Sequence, residues 1–219
     1  MSVEEPLAPQ DAIRAGQLDV RRRARWFERG PLDASELWFV LHGYGQLARV
    51  FLDSCAALAR PNRRLIAPEA LSRFYLRGGR GPIGATWMTR EARDEEIADY
   101  VEYLDALAAL AREQSPHATT LCVLGFSQGV ATAWRWALGG RTDVQRLIAC
   151  GGGAPPELDS TALGTRSFEL IVSTGEQDEA FAPDAARAEH ERWRAAGLRC
   201  SLEPHARGHL LDQTLLARW

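Results

Sequence analysis

The 219-residue sequence predicts an α/β fold, a mostly parallel sheet with helices on both faces. Three observations predict it. Short apolar runs alternate with segments of helical periodicity along most of the chain. Those runs are nearly continuous in Val, Ile, Leu and Phe, as in strands buried on both faces. Apolar residues make up 46% of the chain, enough for one core of ordinary domain size.

The elements follow in order. Residues 1–16, rich in Pro, Ala and acidic groups, read as a loose arm, and residues 17–219 as one domain. Residues 17–29 set Leu18, Val20, Ala24, Trp26 and Phe27 among arginines, the pattern of one or two exposed antiparallel strands at a sheet edge. Residues 37–41 form the first core strand, closed by His42, Gly43, Tyr44 and Gly45. A helix is expected over 49–60 and a second strand over 64–67, ended by Pro68. Residues 71–89 show no clear period and read as a long irregular loop, a feature more often functional than idle. Ile97, Val101, Leu104, Leu107 and Leu110 mark a helix over 91–114. Strands are then expected at 119–124, 146–150, 168–173 and 198–202, and helices at 127–138, 183–196 and 210–218.

Composition excludes several functions. All 26 basic residues are arginine, so lysine chemistry (Schiff base, P-loop lysine, Ser-Lys dyad) is absent. A net charge of -3 leaves no electrostatic footprint for nucleic acid. No apolar run reaches the roughly 18 residues that a membrane span needs. Cys55, Cys122, Cys150 and Cys200 are scattered, without metal-ligand spacing or a disulfide pattern. The acidic amino terminus lacks a signal-peptide core, so a cytoplasmic setting is expected.

One constellation carries chemistry. Gly125, Phe126, Ser127, Gln128 and Gly129 form a G-x-S-x-G turn between a strand and a helix, the context of a nucleophile elbow. Such a serine sits on a strained turn above the sheet edge, and glycines are needed where flanking side chains would collide. The following helix aims free N–H groups at developing negative charge. A serine hydroxyl needs a base held by a third group, and in this order the acid follows the serine and the histidine comes last. His190 falls on a solvated helix face. His209 precedes the last helix, and Gly208 before it lets the loop pass near the serine turn, so it is preferred to its rival His205. Glu176, Asp178 and Glu179 all follow the strand at 168–173, and position alone does not separate them.

An oxyanion hole requires two N–H donors. Gln128, after the nucleophile, supplies one; Tyr44 supplies the other from the loop after the first core strand, with Gly45 as alternative. His42 precedes the serine and is expected to hold its loop in shape rather than act as base. Phe126 is assigned to the substrate wall. Trp87 is assigned there too, with core filling an equal reading.

Four stretches resemble the phospholipase/carboxylesterase family of small α/β-hydrolases, which includes the acyl-protein thioesterases. They are Leu41 to Gly45 (Leu-His-Gly-Tyr-Gly), the Ser127 pentad, Gly175-Glu-Gln-Asp178 with Pro183, and Gly208-His209-Leu210. The resemblance runs over about residues 36–219. It implies an α/β-hydrolase fold without a large cap domain. It selects Asp178 as the acid, making Ser127, Asp178 and His209 a triad with Tyr44 and Gln128 lining the oxyanion hole. It also implies hydrolysis of short- to medium-chain carboxylic esters, in some members thioesters, with no cofactor and no metal. The partner expected is a small-molecule ester, and the assembly a homodimer.

The departures are Gln46 after Gly45, Val130 after Gly129, and Cys150 where relatives carry serine. They touch the acyl pocket, so a general carboxylesterase is expected ahead of an acyl-protein thioesterase or a lysophospholipase-like hydrolase. A non-catalytic ligand-binding protein of the same fold is the alternative of another class.

Overall fold

The computed structural model describes residues 13–219; the arm expected over 1–16 lies largely outside the described residues. Seven strands build one sheet: β1 (Trp26–Arg29), β2 (Glu36–Leu41), β3 (Arg63–Pro68), β6 (Thr120–Phe126), β7 (Arg146–Cys150), β8 (Glu169–Gly175) and β9 (Arg199–His205). Their spatial order is β1-β3-β2-β6-β7-β8-β9. Only β1 runs antiparallel, pairing with β3 at the edge. The parallel crossovers carry helices α1 (Ala48–Ser54), α2 (Arg93–Gln114), α3 (Gln128–Gly139) and α4 (Pro183–Ala195). A short helix, α5 (Gln213–Arg218), ends the chain.

Strand β2 shows why the sequence takes this form. Residues 37–41 are wholly buried, yet they serve two different cores. Leu37, Phe39 and Leu41 join α2 and α3 residues such as Tyr100 and Trp136. Trp38 and Val40 face the other way, onto Phe51, Leu58 and Leu216. The two-residue period of a strand makes this division, and a continuous apolar run satisfies both sides at once. Helix α2 carries Asp94, Glu95 and Glu96 on its first turn and Arg112 on its last, each complementing the helix dipole. On α3, Trp134 stacks on Trp193 of α4 at 4.3 Å and meets Phe168 edge-on.

Two expectations are corrected. Residues 17–25 form no strand, and the edge pairing is confined to β1. Leu18, Val20 and arginines 21–23 are all exposed, so the alternating apolar groups of this stretch find no sheet face to cover. The stretch 71–89 is not an irregular loop but largely a hairpin, β4 (Ser72–Arg77) with β5 (Arg80–Thr86). Gly78 and Gly79 form its two-residue turn with φ of +47° and +81°, a backbone that glycine alone adopts easily. Backbone bonds from Gly45 N to Ala85 O (2.9 Å) and from Ala85 N to Gln46 O (3.2 Å) lash β5 to the loop after β2.

Candidate active site

The site gathers at the carboxyl ends of the central strands, where open α/β sheets bind ligands. Strand β6 stops at Phe126, and Ser127 takes φ 53° and ψ −118° before α3 begins. A non-glycine residue holds such a backbone only when its surroundings impose it, at a cost of about 1–3 kcal/mol. Here the Ser127 amide donates to Cys150 O (2.9 Å) and its carbonyl accepts from Val130 N (2.9 Å). The flanking glycines are steric necessities. A Cβ on Gly125 would lie 2.4 Å from Gly129 O, and one on Gly129 would lie 2.2 Å from Leu41 O.

Two loops bracket the serine. Gly43 lies so close that a Cβ there would stand 3.2 Å from Ser127 Cβ. The loop is stiffened by Gly43 N donating to Gln46 Oε1 (2.7 Å). Its Gly45 amide is spent on Ala85 O, whereas the amides of Tyr44 and Gln128 have no partner among the described residues. The Gln128 side chain faces the hairpin, its Nε2 donating to Met88 O and Thr86 Oγ1 at 3.0 Å each. Sequence reading missed this tie between α3 and the hairpin.

On the other side, Gly151 and Gly152 run between the serine and the acid–histidine pair. A Cβ on Gly152 would be 2.9 Å from Ser127 O. One on Gly151, whose φ is +62°, would be 3.0 Å from His209 Cε1 and 3.3 Å from Asp178 Oδ2. His209 Nδ1 and Asp178 Oδ2 are 2.8 Å apart, and the imidazole lies against Phe126 with ring centroids at 4.9 Å. A carboxylate at Nδ1 favours the tautomer that leaves Nε2 with a free lone pair. The Ser127 hydroxyl makes no hydrogen bond to the imidazole in this structure. Nucleophile–base contacts commonly tighten only with substrate present.

Burial separates the three acids that position leaves equivalent. Glu176 and Glu179 are exposed; Asp178 is buried, its side chain 1% accessible. Burial pushes its pKa up, but hydrogen bonds from His209, Phe181 N and Ala180 N outweigh it and hold the carboxyl below its ordinary range. His205 is half-buried and accepts from Arg207 N through Nδ1 (3.3 Å); it bonds to no carboxylate. His190, on α4, is half-buried rather than on a solvated face as expected, with Nε2 3.2 Å from Cys200 O of β9. His42 is fully buried, bonded through Nδ1 to Gly43 O (2.8 Å) and through Nε2 to Ala70 N (3.1 Å). It holds the loop, and burial lowers its pKa against the opposing pull of Gly43 O and Glu69.

Trp87 does not line substrate space. It is 2% exposed, packed in the core on Tyr100, with Nε1 bonded to His42 O (2.8 Å). Its large apolar ring finds a full set of neighbours under the hairpin, so core filling is the part of the expectation that describes it. Phe126, by contrast, walls a cleft of about 320 Å³ that opens beside His209, with Phe51, Leu210 and Leu211 as its other apolar groups and Gln46 and Arg207 among its polar ones. Among the described residues, no three His, Cys, Asp or Glu side chains gather as metal ligands. No described helix is long and apolar enough to cross a membrane.

No protein-family model matches the chain, and no curated protein matches it. Solved structures do. Esterase PE8 is 20% identical, with a TM-score of 0.68 over 90% of this chain and 96% of its own. Acyl-protein thioesterase 2 of Zea mays is 19% identical, with a TM-score of 0.68 over 90% and 97%. A phospholipase/carboxylesterase of Dyadobacter fermentans is 16% identical, with a TM-score of 0.65 over 91% and 97%. The chain has the α/β-hydrolase fold, without a large cap domain.

Proposed function

We propose that the chain is a serine hydrolase of the phospholipase/carboxylesterase kind, cleaving short- to medium-chain carboxylic esters through an acyl-enzyme. The observation that carries this reading is the His209–Asp178 pair, 2.8 Å apart, set across Gly151 and Gly152 from a serine in a strained turn. The fold shared with esterases and an acyl-protein thioesterase supports it.

The chemistry follows from the groups. His209 Nε2 takes the Ser127 proton as the hydroxyl attacks the ester carbonyl. Asp178 keeps the imidazole oriented and stabilises its charged form. The carbonyl oxygen becomes an oxyanion, and the unpartnered amides of Tyr44 and Gln128 bind it. The C–O bond to the alcohol breaks, and the imidazole returns its proton to the departing oxygen. Water then repeats the sequence on the acyl-enzyme and releases the acid.

The test is Ser127→Ala assayed on p-nitrophenyl butyrate. Turnover should fall by at least about a thousandfold, to what oxyanion stabilisation and binding alone supply. Activity within tenfold of the parent contradicts the assignment. A matched pair of butyryl oxyester and thioester then orders the two classes, and a higher kcat/KM for the thioester favours the acyl-thioesterase reading that the Zea mays structure brings to mind.

A further inference from the structure

Resting on the esterase reading, we infer that the substrate's alcohol half carries an anionic group and that Arg207 recognises it. The cleft beside His209 is the place. In acyl transfer the departing oxygen takes its proton from the imidazole, so whatever is attached to that oxygen must pass beside His209. His209 is one wall of this cleft, and Phe126, next to the serine, is another.

One side chain of fixed charge lines the cleft. Ser54 Oγ is spent on Val50 O and Gln213 Nε2 on Ser54 O. Gln46 Oε1 is occupied by Gly43 N, which leaves its amide nitrogen as the free end. No Asp or Glu lines the cleft. Its one arginine, Arg207, forms a salt bridge through Nε to Asp212 Oδ2 (3.6 Å) and makes no side-chain hydrogen bond among the described residues, so its two terminal nitrogens are the open part of the fork. The other Asp212 oxygen is committed to capping α5 through Thr214 N and Leu215 N. The groups left to meet a ligand are two donors, the guanidinium fork and the Gln46 amide, beside two neutral acceptors, Gln213 Oε1 and the Ser54 Oγ lone pairs; the guanidinium alone carries a fixed charge. An oxyanion, carboxylate or phosphate, is the acceptor that matches it.

The arginine is also placed by the catalytic corner itself. Its carbonyl accepts from Gln177 N (3.1 Å), and a Cβ on Gly175 would lie 2.0 Å from that oxygen. Its backbone is locked to the turn that presents Asp178, so the guanidinium swings from a fixed point beside the imidazole.

The reaction needs no added reactant. The acyl C–O bond breaks, the His209 proton passes to the alcohol oxygen, and the anionic alcohol departs past Arg207. The experiment compares three phenyl esters with one acyl group: para-butyryloxybenzoate, its methyl ester, and para-butyryloxyphenyl phosphate. Each kcat/KM is divided by the rate of cleavage by free imidazole, to remove intrinsic reactivity. The parent enzyme should prefer at least one anion over the neutral methyl ester by roughly twofold to fivefold, the scale of a partly solvated ion pair. The preferred arm identifies the oxyanion.

Arg207→Gln should bring that ratio near one, and Arg207→Lys should keep part of it. A merely structural role for Arg207 would move all three substrates together. Equal rates for the three esters, or a preference that Arg207→Gln leaves intact, overturns the inference while the esterase reading stands. Failure to cleave any of them, and p-nitrophenyl butyrate as well, overturns the esterase reading and this inference with it.

Discussion

At the scale of the residue, Asp178 and its two acidic neighbours differ only in surroundings. The sequence offers Glu176, Asp178 and Glu179 within one turn, and nothing in their spacing ranks them. Burial and two backbone amides do, by holding one carboxylate ionised at the edge of the imidazole. Asp178→Asn should keep the shape but lose the anion opposite Nδ1, lowering kcat by about 10³–10⁴-fold with little change in KM. His205→Ala should leave most of the activity, and His209→Ala should abolish it; the reverse order in steady-state assays exchanges the two roles. The tight turn at Ser127 and the loop that carries His209 to Asp178 were legible as geometry, because glycines mark both in sequence. Trp87 was not, because an aromatic residue beside a glycine-rich stretch reads alike whether its ring meets substrate or the core.

At the scale of the element, close backbone approach governs the site. Gly129 lets α3 start against Leu41 O, and Gly84 lets β5 pass Gly45, where a Cβ would lie 2.4 Å from its carbonyl oxygen. Gly129→Ala should destabilise the fold by several kcal/mol, about 3 or more, read as a lower urea midpoint, because backbone on both sides must move. Gly84→Ala should act more locally. By displacing the Tyr44 loop it should lower kcat for p-nitrophenyl butyrate about tenfold or more while the far-UV spectrum is retained. An unchanged kcat would detach the hairpin from the oxyanion site.

That hairpin also marks where element prediction failed. The buried strands announce themselves as unbroken apolar runs. Strands β4 and β5 face solvent along much of their length, and the five residues across their turn are all arginine or glycine (Arg77, Gly78, Gly79, Arg80, Gly81). The Gly78-Gly79 pair, flanked by Phe74, Tyr75 and Ile83, was the available sign.

At the scale of the whole molecule, the order of strands and helices was readable because each parallel strand must be buried on both faces, and that requirement shapes composition directly. The polar braces between neighbouring helices were not. Asp105 on α2 is buried and accepts from Trp136 Nε1, Thr142 Oγ1 and the amides of Arg141 and Thr142. In sequence it is one acid within a helical stripe.

Burial alone would raise the Asp105 pKa, yet these bonds hold it below the ordinary carboxylate range. A depressed carboxylate stabilises the fold fully above its unfolded value near about 4, and loses that contribution as pH falls through the lower folded value. Thermal stability should therefore decline below about pH 4. Asp105→Asn should cost about 1–3 kcal/mol at neutral pH and flatten the acid decline, checked by urea melts at pH values across that range.

The most direct measurement is covalent labelling of the intact protein with a fluorophosphonate probe, followed by peptide mass spectrometry. A serine activated by its neighbours should react once, at Ser127, and His209→Ala should suppress the adduct. An unlabelled protein, or an adduct mapped to any other residue, contradicts the account.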